Sequence, residues 1–155
     1  MNRTIKQIRD IEVIENELIG THAGVLATHG EDDAVIQIPT TFLYKDKNLY
    51  VFFEEDSELY ETFTFDSPVV FTIIKEEKLR KTKKTDNKPT YKYLSISISG
   101  MIRKVDETKT LDELKLAYAG KYSDRKEGSE FDFKSINKVA MVDTEEIKAL
   151  EETGG

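Results

Sequence analysis

Cysteine is absent from this chain, and so is tryptophan. The first absence removes disulfides, thiolate metal ligands and cysteine nucleophiles together. Histidine is nearly absent: His22 and His29 are the only two. Neither has partners at a ligand or acid–base spacing, so no metal site is expected. Apolar runs are short, and none approaches the about 20 residues that cross a bilayer. The opening stretch, Met1-Asn2-Arg3-Thr4-Ile5-Lys6, leads into no apolar segment of the secretory kind. Positive charge is also in deficit, with 23 Lys and Arg against 30 Asp and Glu and a net charge of −7. A nucleic-acid backbone would be repelled on average. The expectation is a cytoplasmic protein with neither membrane nor nucleic acid as partner.

What is present is a series of short β segments. At 155 residues the chain is long enough for one domain with a real core. Gly24–Thr28 suits a strand, and Gly30-Glu31-Asp32-Asp33 turns the chain into a second, Ala34–Tyr44. Pro39 lies inside that run and donates nothing to a ladder, so it belongs at an edge or a bulge. Free backbone groups near it need partners, and a ligand is one possibility. After the polar turn Lys45–Asn48 come Leu49–Phe53 and Pro68–Ile74. In Tyr91–Val105, Leu94, Ile96 and Ile98 alternate with Ser95, Ser97 and Ser99, the clearest period-2 signal in the chain. The serines line either a polar pocket or the solvent face. Lys138–Val142 reads as a last strand.

Helices flank this set. Asp10 is a candidate N-cap for an amphipathic helix over about 10–20, with Ile11, Ile14 and Leu18 at helical spacing and Gly20 closing it in a left-handed conformation. Asp56 or Ser57 opens a small helix to about Phe65, carrying Leu59 and Phe63, and Asp66-Ser67-Pro68 ends it. Thr110-Leu111-Asp112-Glu113 is a capping box, followed by Leu111, Leu114, Ala117 and Tyr118 on one side. Residues 144–155 form a charged tail that reads as helical if structured. The expected architecture is mainly β, a six-stranded antiparallel split barrel over about 22–143 in a single domain 1–155.

The ordered set Gly24–Thr28, Ile36–Phe42, Asn48–Phe52, Asp66–Phe71 and Leu94–Gly100, with a helix ending in Gly120-Lys121-Tyr122, resembles the pyridoxamine 5′-phosphate oxidase-like, FMN-binding split-barrel family. The resemblance covers roughly 10–145. It implies a homodimer with FMN in grooves at the subunit interface, and a flavin-dependent oxidoreductase of unspecified substrate. By the same resemblance, the backbone of Ile36, Gln37, Ile38, Pro39, Thr40 and Thr41 would meet the ring edge, with the threonine hydroxyls near ring atoms. Phe52, Phe53 and Glu54 would flank the ring or ribityl chain, and Ser57 would sit beside the phosphate.

Two departures are visible. Family members that bind FMN usually carry Lys or Arg at the opening of the small helix, whereas Glu54-Glu55-Asp56-Ser57-Glu58 is acidic. Hydrogen bonds to charged groups contribute about 1.5–3 kcal/mol each, so losing two such contacts weakens FMN by about a hundredfold or more. Ser95 and Ser97 occupy the run where the oxidases proper carry a Gln/Arg pair, so that specific activity is not expected. The basic cluster of Lys75, Lys78, Arg80, Lys81, Lys83 and Lys84 offers a substitute phosphate grip or simply a solvated loop. The alternative is a non-catalytic binding protein that has lost FMN or holds a deazaflavin or haem, with His22 as the candidate haem ligand. Phe42, Phe52, Phe53 and Phe71 are either ring-stacking groups or plain core.

Overall fold

The alternating segment becomes the centre of one curled antiparallel sheet. A computed structural model of the chain describes residues 3–77, 90–123 and 135–155. Its strands are β1 (Arg3–Ile8), β2 (Ala23–His29), β3 (Val35–Thr41), β4 (Leu43–Lys45), β5 (Asn48–Glu54), β6 (Pro68–Glu76), β7 (Tyr91–Val105) and β8 (Ile136–Gly154). Helices are α1 (Ile11–Gly20), α2 (Glu58–Glu61) and α3 (Thr108–Tyr122). The sheet order is β3-β2-β6-β7-β8-β5-β4, with β1 paired to β8. It is a split-barrel half-cylinder, mainly β, as expected.

Among the described residues eight strands replace the expected six, for two reasons. First, β1 carries no sequence signal: its side chains are almost all exposed, so no apolar alternation marks it. Second, the run 34–44 breaks at Phe42 into β3 and β4, which stand at opposite ends of the sheet order. One continuous stretch of chain therefore joins the two ends of the curl.

The charged tail is strand, not helix. β8 runs for 19 residues and pairs with β1, β5 and β7. A bulge leaves Glu145 unpaired between the pairs Ser99↔Glu146 and Gly100↔Thr144. Beyond it, Glu152 is buried and held by Arg3 at 2.8 Å and by the Tyr91 hydroxyl at 3.1 Å. Tertiary pairing overrides the helical look of a Glu-rich segment.

Helix ends also differ from expectation. Asp10 caps α1 through the Glu12 amide at 3.0 Å. Ile14 and Leu18 are buried, but Ile11 is half exposed. Gly20 stays within the helix and is not left-handed; the chain leaves through extended Thr21. α3 begins at Thr108, two residues before the expected cap, after Glu107 with no side-chain cap bond. α2 has only four residues and ends at Thr62, well short of Asp66-Ser67-Pro68. The turn between β4 and β5 is tight, with Asp46 and Lys47 both at positive φ (51° and 67°), the pairing a two-residue hairpin requires.

The sheet has two faces and two apolar clusters. Inside the curl lie Leu26, Phe42, Phe71, Ile73, Ile96, Ile98, Ile102 and Val142, with Ile14 and Leu18 of α1. On the outer face, α3 lays Leu114 and Tyr118 over Leu43, Phe52, Ile136 and Val139. Each such buried side chain contributes about 1.5–3 kcal/mol. The helix covers only the β4-β5-β8 end of that face.

A Cβ at Gly100 would collide with the Asp143 carbonyl beside the bulge, while one at Gly20 meets nothing within 4 Å. Gly100→Val is expected to cost more than about 2 kcal/mol in urea unfolding. Gly20→Ala, in an unstrained helix position, should stabilise by up to about 1 kcal/mol. Equal unfolding midpoints for the two variants would contradict the β7–β8 register.

Candidate functional site

The half of the outer face that the described residues leave uncovered carries the candidate site. Residues alternate across β3, β2 and β6 so that Leu26, Ile38, Phe71 and Ile73 point inward. Their neighbours point out, and several of these are apolar: Val35 is 70% exposed, Ile74 69%, Val70 39% and Val25 37%. A groove of about 590 Å³ crosses this surface, lined by Ala23, Gly24, Val25 and Ala27 of β2, Gln37 and Pro39 of β3, and Thr72 and Ile74 of β6. Small residues on β2 form its floor, and the bulkier Pro39 and Ile74 stand on the flanking strands. Its size falls within the range of small-molecule sites, about 300–1,000 Å³.

Pro39 sits where proline costs least. Among the described residues β3 pairs only with β2, and the register Val25↔Pro39 runs on without a bulge, so the edge alternative holds there. Gln37 is opposite Ala27 in that register and contributes a side-chain amide to the groove lining. Thr72 Oγ1 is 3.3 Å from Ser97 Oγ, which places the serine row of β7 on the outer face, half buried beside the groove, rather than in an enclosed pocket.

The other residues singled out from sequence are dispersed. Ile36 and Ile38 face the inner core, so only their backbone is available to anything outside it. Thr40 Oγ1 turns to the Thr41 carbonyl at 3.1 Å, and Thr41 Oγ1 lies 2.7 Å from the Tyr118 hydroxyl. Phe53 packs on Tyr60 and Phe63 inside the curl, whereas Phe52 stacks on Tyr118 at 4.2 Å under α3. Phe42 and Phe71 pack on each other at 4.9 Å and are fully buried. None of these four phenylalanines lines the groove. Ser57 occupies the cap position of α2 without a side-chain cap bond. Lys75, next to Ile74, is bound by both Glu17 carboxylate oxygens at 3.0 Å. Lys78, Arg80, Lys81, Lys83 and Lys84 lie outside the described residues. His22 is exposed at the entry to β2 and stands 5.8 Å from the Tyr122 ring.

Sequence reasoning missed the β2 and β6 contributors Ala23, Val25, Ala27, Thr72 and Ile74. Their signal was available: Val25, Val70 and Ile74 have the outward parity of their strands yet are apolar. It also missed the end of the groove. There the last β2–β3 pair is Ala23↔Thr41, and the Tyr122 hydroxyl reaches the residues on either side. It is 2.7 Å from the His22 carbonyl, 2.8 Å from the Phe42 carbonyl and 3.0 Å from the Phe42 amide. A hydroxyl has one hydrogen to give. Lys121 Nζ donates to the Phe42 carbonyl at 3.0 Å, which frees the tyrosine hydrogen for His22. Burial pushes the Tyr122 pKa up to about 12. The same burial lowers Lys121 to about 8, although its ammonium sits 3.8 Å over the Phe42 ring.

A family model described as pyridoxamine 5′-phosphate oxidase matches residues 12–150. This chain belongs to the pyridoxamine 5′-phosphate oxidase-like family. No curated protein matches it. Among solved structures, it is similar to a candidate 5-nitroimidazole antibiotic resistance protein from Bacteroides thetaiotaomicron, at 14% identity and a TM-score of 0.76, covering 99% of this chain and 90% of that one. A FAD-binding protein from Mesorhizobium loti gives 15% identity and 0.66 over 95% and 97% of the two chains. A FAD- and haem-binding protein from Mycobacterium smegmatis gives 12% and 0.67 over 97% and 74%. At these identities the likeness of this family member to the three structures is one of fold. Among the described residues, no helix is long and apolar enough to cross a membrane.

The lowered Lys121 pKa has a definite sign. Between about pH 8 and pH 10.4 the unfolded chain holds a proton on this lysine that the folded chain does not, so its contribution to stability rises with pH. Tyr44, Tyr60 and Tyr122, each raised to about 12, act in the opposite direction only above about pH 10. Denaturant melts between pH 7.5 and 10 should show wild type gaining on Lys121→Met as pH rises. A pH-independent difference would contradict the assignment.

Proposed function

We propose that this family member binds a flavin in the groove on the bare half of its outer sheet face and acts as a flavin-dependent oxidoreductase. One observation carries the reading. Among the described residues, the half of the outer face away from α3 holds an apolar groove with two of the sequence-predicted ring-edge residues, Gln37 and Pro39, on its edge strand. A planar heterocycle suits a flat floor of Ala23, Val25 and Ala27. The Gln37 amide offers both a donor and an acceptor for a polar ring edge. Family membership and the flavin-binding neighbours support the same ligand class.

A bound flavin supplies hydride or electron transfer at its ring. The residues of this chain would orient it: β2 and β6 side chains beneath it, and β3 backbone with Gln37 at its edge. The ring therefore fits the residues present. The phosphate of FMN does not fit at α2, where Glu54, Glu55, Asp56 and Glu58 surround Ser57, and Lys75 is already committed to Glu17.

The exposed apolar side chains around the groove call for a cover, since large bare patches on soluble proteins mark contact sites. We infer that a second copy of the chain supplies it, giving the homodimer that the family resemblance implies.

The test is a melt with added ligand. FMN or FAD should raise the melting temperature, equivalent to about 2.7 kcal/mol at a hundred times the dissociation constant. Deazaflavin and haem should give less. The same sample should sediment as a dimer at micromolar concentration. No shift with either flavin would remove the flavin reading, and a monomer would remove the cover.

A further inference from the structure

The structure assigns a second role to the end of α3: we propose that Tyr122, with Lys121 and Tyr118, is a positioning clamp that fixes the width of the flavin groove at its Ala23–Thr41 end. The inference rests on the flavin reading of that groove and adds residues that do not line it.

The geometry is specific. β2 begins at Ala23 and β3 ends at Thr41, and these two residues face each other in the register. The β2–β3 register ends at that pair, and His22 and Phe42 flank it. The Tyr122 hydroxyl bridges these two, accepting from the Phe42 amide at 3.0 Å and donating to the His22 carbonyl at 2.7 Å. Lys121 Nζ takes the Phe42 carbonyl at 3.0 Å and reaches the Leu18 carbonyl of α1 at 3.5 Å. Tyr118 meets Thr41 Oγ1 at 2.7 Å. Three side chains from one helical turn thus bind His22 just before the floor strand and Thr41 and Phe42 at the end of the edge strand.

The consequence is a matter of placement. Ala23, Gly24 and Val25 lie on one side of the groove and Pro39 on the other. A ligand that contacts both strands needs their separation fixed before it arrives, because ordering them on binding subtracts from affinity. Tyr122 touches no groove atom among its hydrogen-bond partners, so its effect on a ligand runs through His22 and Phe42.

The test compares Tyr122→Phe with Glu152→Gln, which disturbs a buried network three strands from β2. Tyr122→Phe should bind FMN about tenfold more weakly, the scale of one lost positioning hydrogen bond. Its saturated complex should also show a shifted visible absorption band. Glu152→Gln should keep both wild-type affinity and spectrum. In the ligand-free protein, amide exchange at Ala23 and Phe42 should accelerate in Tyr122→Phe alone. Wild-type affinity and spectrum in Tyr122→Phe, or equal losses in both variants, would overturn the clamp. If wild type itself binds no flavin, the flavin reading fails, and the exchange measurement then decides: faster exchange upholds the clamp, unchanged exchange overturns it. Should Tyr122→Phe not fold, Lys121→Met removes the Phe42 carbonyl donor and takes its place in every comparison.

Discussion

The closure of the curl at Phe42 is the constraint on which the remaining architecture depends. A sheet whose first and last strands are one interrupted segment must leave backbone groups unpaired at the interruption, and buried unpaired groups cost about 1–3 kcal/mol each. Here the interruption falls on a fully buried phenylalanine, and the carboxy-terminal turn of α3 answers both of its backbone groups. That requirement places α3 at one end of the outer face. It also brings a cation and two tyrosine hydroxyls into a half-buried seam, where burial moves the ionisation of Lys121 and Tyr122 in opposite directions.

From the position of α3 follows the asymmetry of the outer face. At the β4-β5-β8 end, helix and sheet form a second core. At the β3-β2-β6 end, the same outward parity delivers Val25, Val35, Val70 and Ile74 to solvent. An apolar surface that the described residues leave uncovered, with a groove across it, is the physical basis for proposing both a ligand and a partner there. The acidic run Glu54–Glu58 lies at the mouth of a helix of one turn.

Much of this was legible in the chain. The strands at 24–28, 49–53, 68–74 and 91–105 declared themselves because one side of each is apolar, and Pro39 announced an edge or a bulge. β1 and the second half of β8 did not, since β1 is almost wholly exposed and 143–153 is rich in Asp and Glu, and there Arg3, Tyr91 and Glu152 meet across three strands. The break at Phe42 was invisible because a strand that ends and restarts in one residue keeps its periodicity. The groove was half legible. Gln37 and Pro39 stood in the expected segment, but the floor on β2 and β6 becomes a surface only once three strands are side by side. For Phe42, Phe52, Phe53 and Phe71 the sequence left ring stacking and plain core both open, and each packs on other aromatic rings of the protein itself.

The central claim is that the bare groove over β2 is where a planar cofactor lies. Ala27 is its most direct probe, because it faces out from the floor opposite Gln37 and its replacement disturbs no inner-core contact. Equilibrium dialysis of FMN against Ala27→Arg, checked for wild-type circular dichroism, should show binding abolished while the fold is kept. Undiminished FMN binding by that folded variant would place the cofactor elsewhere and contradict the account.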